Sequence, residues 1–444
     1  MNGEAESTPP LVDYATFSTS VEVRQSLPGR GFGLFTKQAV SAGELLLCEK
    51  ALAYEWSGEE PEDRRYPPGR LLFSDTRTGF FGGQARLLTQ LVQKLRRNPE
   101  TYHQFQQLYR GEYEGVPQLV VDGQPVVDTF HVAKVIALSG MGAPRSSQLV
   151  YDRRDSPRRS AYHACGVWAL ASRINHCCLA NCRRSFIGDM LIVRATQDLT
   201  AGTELLFSYC DTPGGTPEIG PDVQQKLMRT WGFMCRCALC CTYREASPEP
   251  LLVEPSQRLR ELGCLIYDPN FFVGEGVLAG FKPILRQLEE VGGVKDLTAR
   301  LVAAPVPHFE MADFCVELAA YQSHVLEPSA ALVNFLRGLK LLGFQITAYP
   351  VGAERAVSVQ TPLVITSWGV ANETALRAVT GLVGLYGRLH PGLVPAMRGY
   401  GRRLYSMIVG QEATVASDCW RLSFAYKHVP HIAHERIAGK ARNM

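Results

Sequence analysis

The stretch that most limits what this chain can become runs from Arg173 to Tyr209, RINHCCLANCRRSFIGDMLIVRATQDLTAGTELLFSY. Asn175 and His176 lead directly into Cys177 and Cys178, and Asn181 follows closely. The apolar run from Met190 to Val193 reads as a strand, Ala201-Gly202 as a turn, and the approach to Ser208-Tyr209 as a second apolar strand carrying both of those residues. A generic core gains nothing from that order of polar groups, so the segment is read as chemistry.

The cysteines point the same way. Thirteen in 444 residues are few for a disulfide scaffold, and they gather at 177–182 and 235–241, which suggests metal in a reducing compartment. Cys235-x-Cys237-x2-Cys240 has tight metal-ligand spacing, but three thiolates leave a tetrahedral zinc one ligand short. The fourth comes from elsewhere, with Cys178, Cys182 and Cys241 as candidates. A zinc held by four protein ligands has no open position for water and is structural. His428, His431 and His434 do not make a second set, because Pro430 breaks their register and no carboxylate pattern completes them.

The chain is long enough for two or three domains with a real core. Hydrophobic residues at 46% and charged residues at 20% fit a soluble globular protein, and a net charge of +3 is too small to argue for direct nucleic-acid binding. No apolar run of about 18 residues occurs, and the opening MNGEAESTPP is acidic and polar where a secretory signal is basic then apolar. The expectation is an intracellular protein of the nucleus, the cytoplasm or both, with no membrane partner.

Residues 1–17 read as a flexible tail. After them VEVRQSLPGRGFGLFTKQAVSAGELLLCEKALAY reads as successive short strands, with turns at Pro28-Gly29 and Ala42-Gly43. Arg30-Gly31-Phe32-Gly33 is not a dinucleotide fingerprint, since Thr36 occupies the next required position and no helix pattern follows. Residues 57–82 are read as a charged surface connection. Leu88, Leu91, Val92 and Leu95 recur at helical spacing, Asn98-Pro99 closes that helix, Phe105 and Leu108 suggest another, and a third spans Phe130 to Leu138. The basic run at 153–159 reads as a solvated loop in preference to a nuclear import or phosphorylation segment, and the acidic loop at 59–63 as a solvated loop in preference to an attractor of basic peptides such as a histone tail. From 246 onward the pattern is helical. Stripes appear at Phe314, Leu318, Tyr321 and Val325, at Leu332, Phe335, Leu336 and Leu339, and at Leu376, Val379, Val383 and Tyr386. Pro328-Ser329 opens one of these helices and Gly343 ends it, while Leu389-His390-Pro391 stops another.

Taken together, Asn175-His176-x-Cys178, Asn181, the Gly202 turn into Tyr209, and the early Gly31-x-Gly33 bend followed by Ala42-Gly43-Glu44 resemble the SET domain of protein-lysine methyltransferases. Cys177 stands where that family usually has Ser, and Ala180 where it usually has Pro. The resemblance covers about residues 18–242, although the 57–160 insert matches only in position. It is nearest the SET-and-MYND group, but with no cysteine between Cys48 and Cys165 the MYND finger is absent. It implies an α+β chain: a tail (1–17), a first SET half (18–56), a connection with a helical insert (57–160), a second half (161–211) threaded as a pseudoknot, a post-SET zinc segment (223–242), and an all-α C-terminal domain (246–444).

The resemblance also implies roles. Arg30, Gly31, Phe32, Gly33, Asn175, His176 and Phe233 would bind S-adenosylmethionine, Phe207 would line a lysine channel, and Tyr209 would orient the amine. Cys178 would complete one structural zinc with Cys235, Cys237 and Cys240. The reaction is methyl transfer to lysine, whose reference pKa of about 10.4 requires a dry channel that favours the neutral amine. Phenylalanine at 207 leaves more room for methyl groups than a hydrogen-bonding tyrosine would. The partner is a lysine-bearing protein or peptide, histone or not, met by a monomer. A rival reading is a catalytically weak SET-derived scaffold acting through its helical domain, with Cys177 and Ala180 marking the weakened site.

Overall fold

The computed structural model describes residues 17–18, 21–27, 30–56, 70–73, 78–81, 83–116, 119–121, 123–144, 147, 164–211, 216–218, 220–245, 282–287, 290, 306–325, 327–347 and 364–410. The tail at 1–16, the 57–69 part of the connection with its acidic loop, the Pro28-Gly29 turn, the basic run at 153–159 and the histidines at 428–434 lie outside the described residues. The chain divides into two compact units. The first comprises 1–151, 156–209 and 221–235, and the second 152–155, 210–220 and 236–444.

The first unit is built on short strands. Its main sheet is antiparallel, in the order β1 (Phe17–Ser18), β4 (Leu45–Lys50), β14 (Met190–Ala195), β13 (Cys182–Ile187). A second sheet orders β10 (Met141–Ala143), β11 (Ala164–Val167) and β5 (Ala53–Trp56). A hairpin joins β2 (Val21–Gln25) to β3 (Phe32–Thr36), bending through Gly31 at φ +68°, a left-handed conformation that suits glycine. Apolar residues of these strands and of the segments between them close one core around Leu34, Leu46, Leu47, Trp168, Ile174, Phe186, Leu191, Val193, Leu205 and Phe207.

The insert supplies a second core. Helix α1 (Gly83–Arg97) presents Leu87, Leu91 and Leu95 to Phe105 of α2 (Pro99–Gln106) and to Val132, Val135 and Ile136 of α3 (Thr129–Ser139). Asn98, read from sequence as a terminator, also starts the next helix: its Oδ1 accepts the amide of Thr101 at 3.1 Å, with Pro99 in the first turn. Asp128 caps α3 in the same way, accepting the amides of Phe130 and His131 at 3.0 Å each. The residues read as connection up to 82 contain a hairpin instead, β6 (Arg70–Phe73) with β7 (Thr78–Phe81). A second hairpin, β8 (Val120–Val121) with β9 (Gln124–Pro125), turns at Gly123. After the Gly202 turn the chain makes the two-residue β15 (Leu206–Phe207), and α4 (Pro221–Trp231) then ends in Trp231. The second apolar strand is therefore shorter than its sequence implies, and Ser208 and Tyr209 lie past its end.

The second unit is mainly helical, with α5 (Ala238–Glu245), α6 (Phe309–His324), α7 (Pro328–Leu341), α8 (Glu373–Leu389) and α9 (Val394–Val409). The three expected stripes are the buried faces of α6, α7 and α8, with Val325 at the cap of α6 and Leu336 only half-buried. Gly343 ends α7 at φ +89°. The all-α expectation needs correction, because β16 (Gln345–Thr347) pairs antiparallel with β17 (Val364–Ser367). Helix α9 was not foreseen. Its buried Met397, Leu404, Tyr405 and Ile408 are interleaved with glycines and arginines that dilute the periodicity. No described helix is long and apolar enough to cross a membrane.

Candidate active site and cysteine centre

Three segments distant in sequence meet around Tyr209. β12 (Asn175–His176) pairs in parallel with β15, placing Asn175 opposite Leu206 and His176 opposite Phe207. Pairing this short needs side-chain help, and Asn181 gives it. Its Nδ2 donates to the Glu204 carbonyl at 2.7 Å, its Oδ1 accepts the Leu206 amide at 2.8 Å, and its own amide donates to the Leu206 carbonyl at 3.1 Å. On the other side, residues 203–205 run along β3, where the amide of Leu205 donates to the Leu34 carbonyl at 2.7 Å and that of Thr36 to the Thr203 carbonyl at 2.9 Å.

Glu204 joins the three segments, and the sequence reading passed over it as part of the turn. Its Oε1 accepts Asn175 Nδ2 at 2.8 Å and Ser26 Oγ at 2.7 Å. Asn175 Nδ2 also reaches the Phe32 carbonyl at 3.3 Å. A Cβ on Gly33 would collide with Glu204 Oε1 and come within 3.2 Å of Asn175 Nδ2. Phe32 itself is 56% exposed, so its carbonyl is engaged while its ring is not packed away.

The phenol of Tyr209 donates to the Ile174 carbonyl at 3.0 Å, and its backbone amide donates to His176 Nδ1, also at 3.0 Å. Around its ring stand Trp231 (5.0 Å between centroids), His176 (5.1 Å), Phe207 (5.7 Å) and Phe233 (6.4 Å). Burial pushes the phenol up to about 12, so it stays protonated throughout the physiological range. Trp231 is the second residue the sequence reading missed. Its indole N–H is fixed on the Leu138 carbonyl at 2.8 Å, and its only sequence signal is an aromatic two residues before Phe233.

His176 is buried, and both of its ring nitrogens are engaged. Because Nδ1 accepts from the Tyr209 amide, the proton of the neutral ring belongs on Nε2, which faces Cys178 Sγ at 3.4 Å.

Cys178, Cys235, Cys237 and Cys240 bring their sulfurs within 4.8 Å of one another. A tetrahedral zinc with bonds of about 2.3 Å separates its sulfurs by about 3.8 Å, so this donor set fits that metal. His176 Nε2–H beside Cys178 is the kind of outer-shell donor that thiolate sites use. The two other candidates are placed elsewhere. Cys182 Sγ donates to the Leu206 carbonyl at 3.3 Å and burial pushes its thiol up to about 12, while Cys241 Sγ lies 3.6 Å from the Arg236 carbonyl.

At the two positions that depart from the family pattern, the Cys177 amide donates to the Phe207 carbonyl at 3.3 Å and the Ala180 carbonyl accepts Thr196 Oγ1 at 3.4 Å. Glu49 supports the segment from beneath: buried, it accepts the amides of Leu170 at 2.8 Å and Ala171 at 2.9 Å, just ahead of β12.

Residues 31–210, which contain all of these juxtapositions except those of Ser26, Trp231, Phe233 and the C-terminal cysteines, match the model of the SET domain family. It is 37% identical over 429 residues to a protein named methyltransferase from Gibberella zeae, across 93% of this chain and 55% of that relative. A histone-lysine N-methyltransferase, ASHR1 of Arabidopsis thaliana, is 30% identical over 130 residues, 28% of this chain and 26% of its own length. The protein-lysine N-methyltransferase SMYD4 of Mus musculus is 35% identical over 77 residues, 17% of this chain and 9% of its own. The chain thus spans about half the length of the first of these relatives and less of the others.

Proposed function

We propose that this chain transfers a methyl group from S-adenosylmethionine to the side-chain amine of a lysine in a protein substrate. The observation that carries the reading is the Tyr209 phenol, held on a backbone carbonyl inside an aromatic enclosure of Trp231, Phe233, His176 and Phe207. S-adenosylmethionine supplies a methyl on a sulfonium, which the amine nitrogen takes as the carbon–sulfur bond breaks, with the released proton passing to solvent.

The chain's own groups have the following parts in that reading. Gly31 and Gly33 leave backbone open to the nucleotide, Arg30 and Asn175 flank it, His176 contributes backbone, and Phe233 packs on the adenine. Phe32 contributes its carbonyl, in keeping with its exposed ring. The aromatic enclosure disfavours an ammonium by desolvation. Tyr209, protonated, aligns the amine, and such alignment is worth several kcal/mol of barrier. Cys178, Cys235, Cys237 and Cys240 hold a structural zinc that ties the post-SET segment to the Asn-His loop, and β12 passes beside the Tyr209 segment as a pseudoknot. The mainly helical second unit takes part in choosing the substrate, in the manner of the SET-and-MYND group. The protein acts as a monomer in the nucleus or cytoplasm, without binding nucleic acid itself.

The test is calorimetric binding of S-adenosylmethionine, followed by labelled-methyl transfer to histones and to a cell extract. Transfer is expected, with Tyr209→Phe slower by about a hundredfold or more and cofactor affinity little changed. Tight cofactor binding without transfer, unaltered by Tyr209→Phe, would favour a binding scaffold.

A further inference from the structure

Arg184 has no place in the mechanism above, yet it reaches the two residues that lead into Tyr209. It lies on β13. Its Nη1 donates to the Ser208 carbonyl at 2.9 Å, and its guanidinium carbon sits 4.5 Å from the centre of the Phe207 ring. Phe207 is 3% exposed and meets the Tyr209 ring at 5.7 Å. One planar cation therefore fixes both the ring of Phe207 and the backbone immediately before the phenol. Lysine, a flexible point charge, cannot stack on a ring and fork to a carbonyl at once.

We propose that Arg184 is a positioning residue: through Phe207 and the Ser208 carbonyl it sets the room beside Tyr209 for the acceptor nitrogen, and its permanent charge keeps that nitrogen unprotonated. The inference rests on the methyl-transfer reading. Its two parts are separable, because packing depends on the guanidinium's shape and the field depends only on its sign. The field does reach the centre, since after burial the Arg184 charge is the largest influence on the Tyr209 phenol, acting to lower it.

The experiment compares wild type, Arg184→Lys and Arg184→Met on a lysine peptide that wild type methylates. It reads the mono-, di- and trimethyl products by mass spectrometry and kcat against pH. Both variants loosen Phe207 and are expected to shift products at least twofold toward higher methylation. Only Arg184→Met loses the charge, so only its ascending limb of kcat moves, upward by about half a pH unit. Cofactor affinity should stay within about threefold in both. The wild-type product ratio and pH limb in both variants would overturn the proposal while leaving methyl transfer standing, as would loss of kcat and cofactor binding together without either signature. No transfer by wild type would sink the underlying reading and the proposal with it.

Discussion

No side chain fits at Gly33 without disturbing its neighbours. An added Cβ meets Glu204 Oε1 and Asn175 Nδ2, which bond each other at 2.8 Å. Gly33→Ala must either part that pair or push β3 outward, and a loss of at least tenfold in S-adenosylmethionine affinity is expected by calorimetry, about 1.4 kcal/mol or more. The Tyr209 phenol makes a different prediction. Its folded value of about 12 lies above the ordinary value of about 10, so the unfolded chain loses this proton first. Its contribution to stability is complete below pH 10 and is lost as pH rises from there toward 12. Tyr209→Phe should flatten the alkaline fall in thermal stability over that window. Asn175, His176 and Tyr209 stand out in the sequence because each sits in a local motif, and Cys235, Cys237 and Cys240 because of their spacing, whereas the spacing left Cys178 one of three candidates beside them. Glu204 and Trp231 do not stand out, because their importance comes from partners at positions 26, 33, 138 and 209.

Among elements, α3 offers a stability test. His131 is buried within the helix, its ring 5.8 Å from that of Phe105, with no partner for Nε2. Burial lowers its pKa, the Arg110 charge adds to this, and Asp128 opposes it; the Tyr113 hydroxyl nearby is committed to Asp128 at 2.8 Å. A histidine lowered in this way binds its proton less readily in the folded chain than in the unfolded one, so stability falls as pH drops through its unfolded value of about 6.5. His131→Phe should narrow the difference in melting temperature between pH 7.5 and pH 5.5. At the cap of the same helix, Asp128→Ala should cost about 1 to 2 kcal/mol in denaturant unfolding. For the cysteine segment, metal analysis is expected to return one zinc per chain, falling to none in Cys240→Ser. A metal-free wild type would remove that site. Long periodic helices such as α1, α6 and α8 declared themselves in sequence. The two-residue β12 is too short to show a period, and β15 is only the middle of the apolar run that leads into Tyr209; their pairing is supported by Asn181.

For the molecule as a whole, the first unit has its own cores and the proposed nucleotide site lies among its residues. Excess ligand at about a hundred times its Kd should add about 2.7 kcal/mol to that unit's stability. Calorimetric scans with and without S-adenosylmethionine should show the heat absorbed by this unit moving to higher temperature, and an unmoved trace would count against binding. The same arrangement has a cost in time. Arg24 Nη2 reaches the Gly202 carbonyl and Ser26 Oγ reaches Glu204, each across 178 residues of chain. At about 5 to 20 residues per second of synthesis, the β2–β3 hairpin leaves the ribosome roughly 10 to 35 s before those partners exist. Through that wait its outer edge is open to other nascent chains, so yield should respond to elongation speed and chaperone supply more than to any single contact in the finished protein.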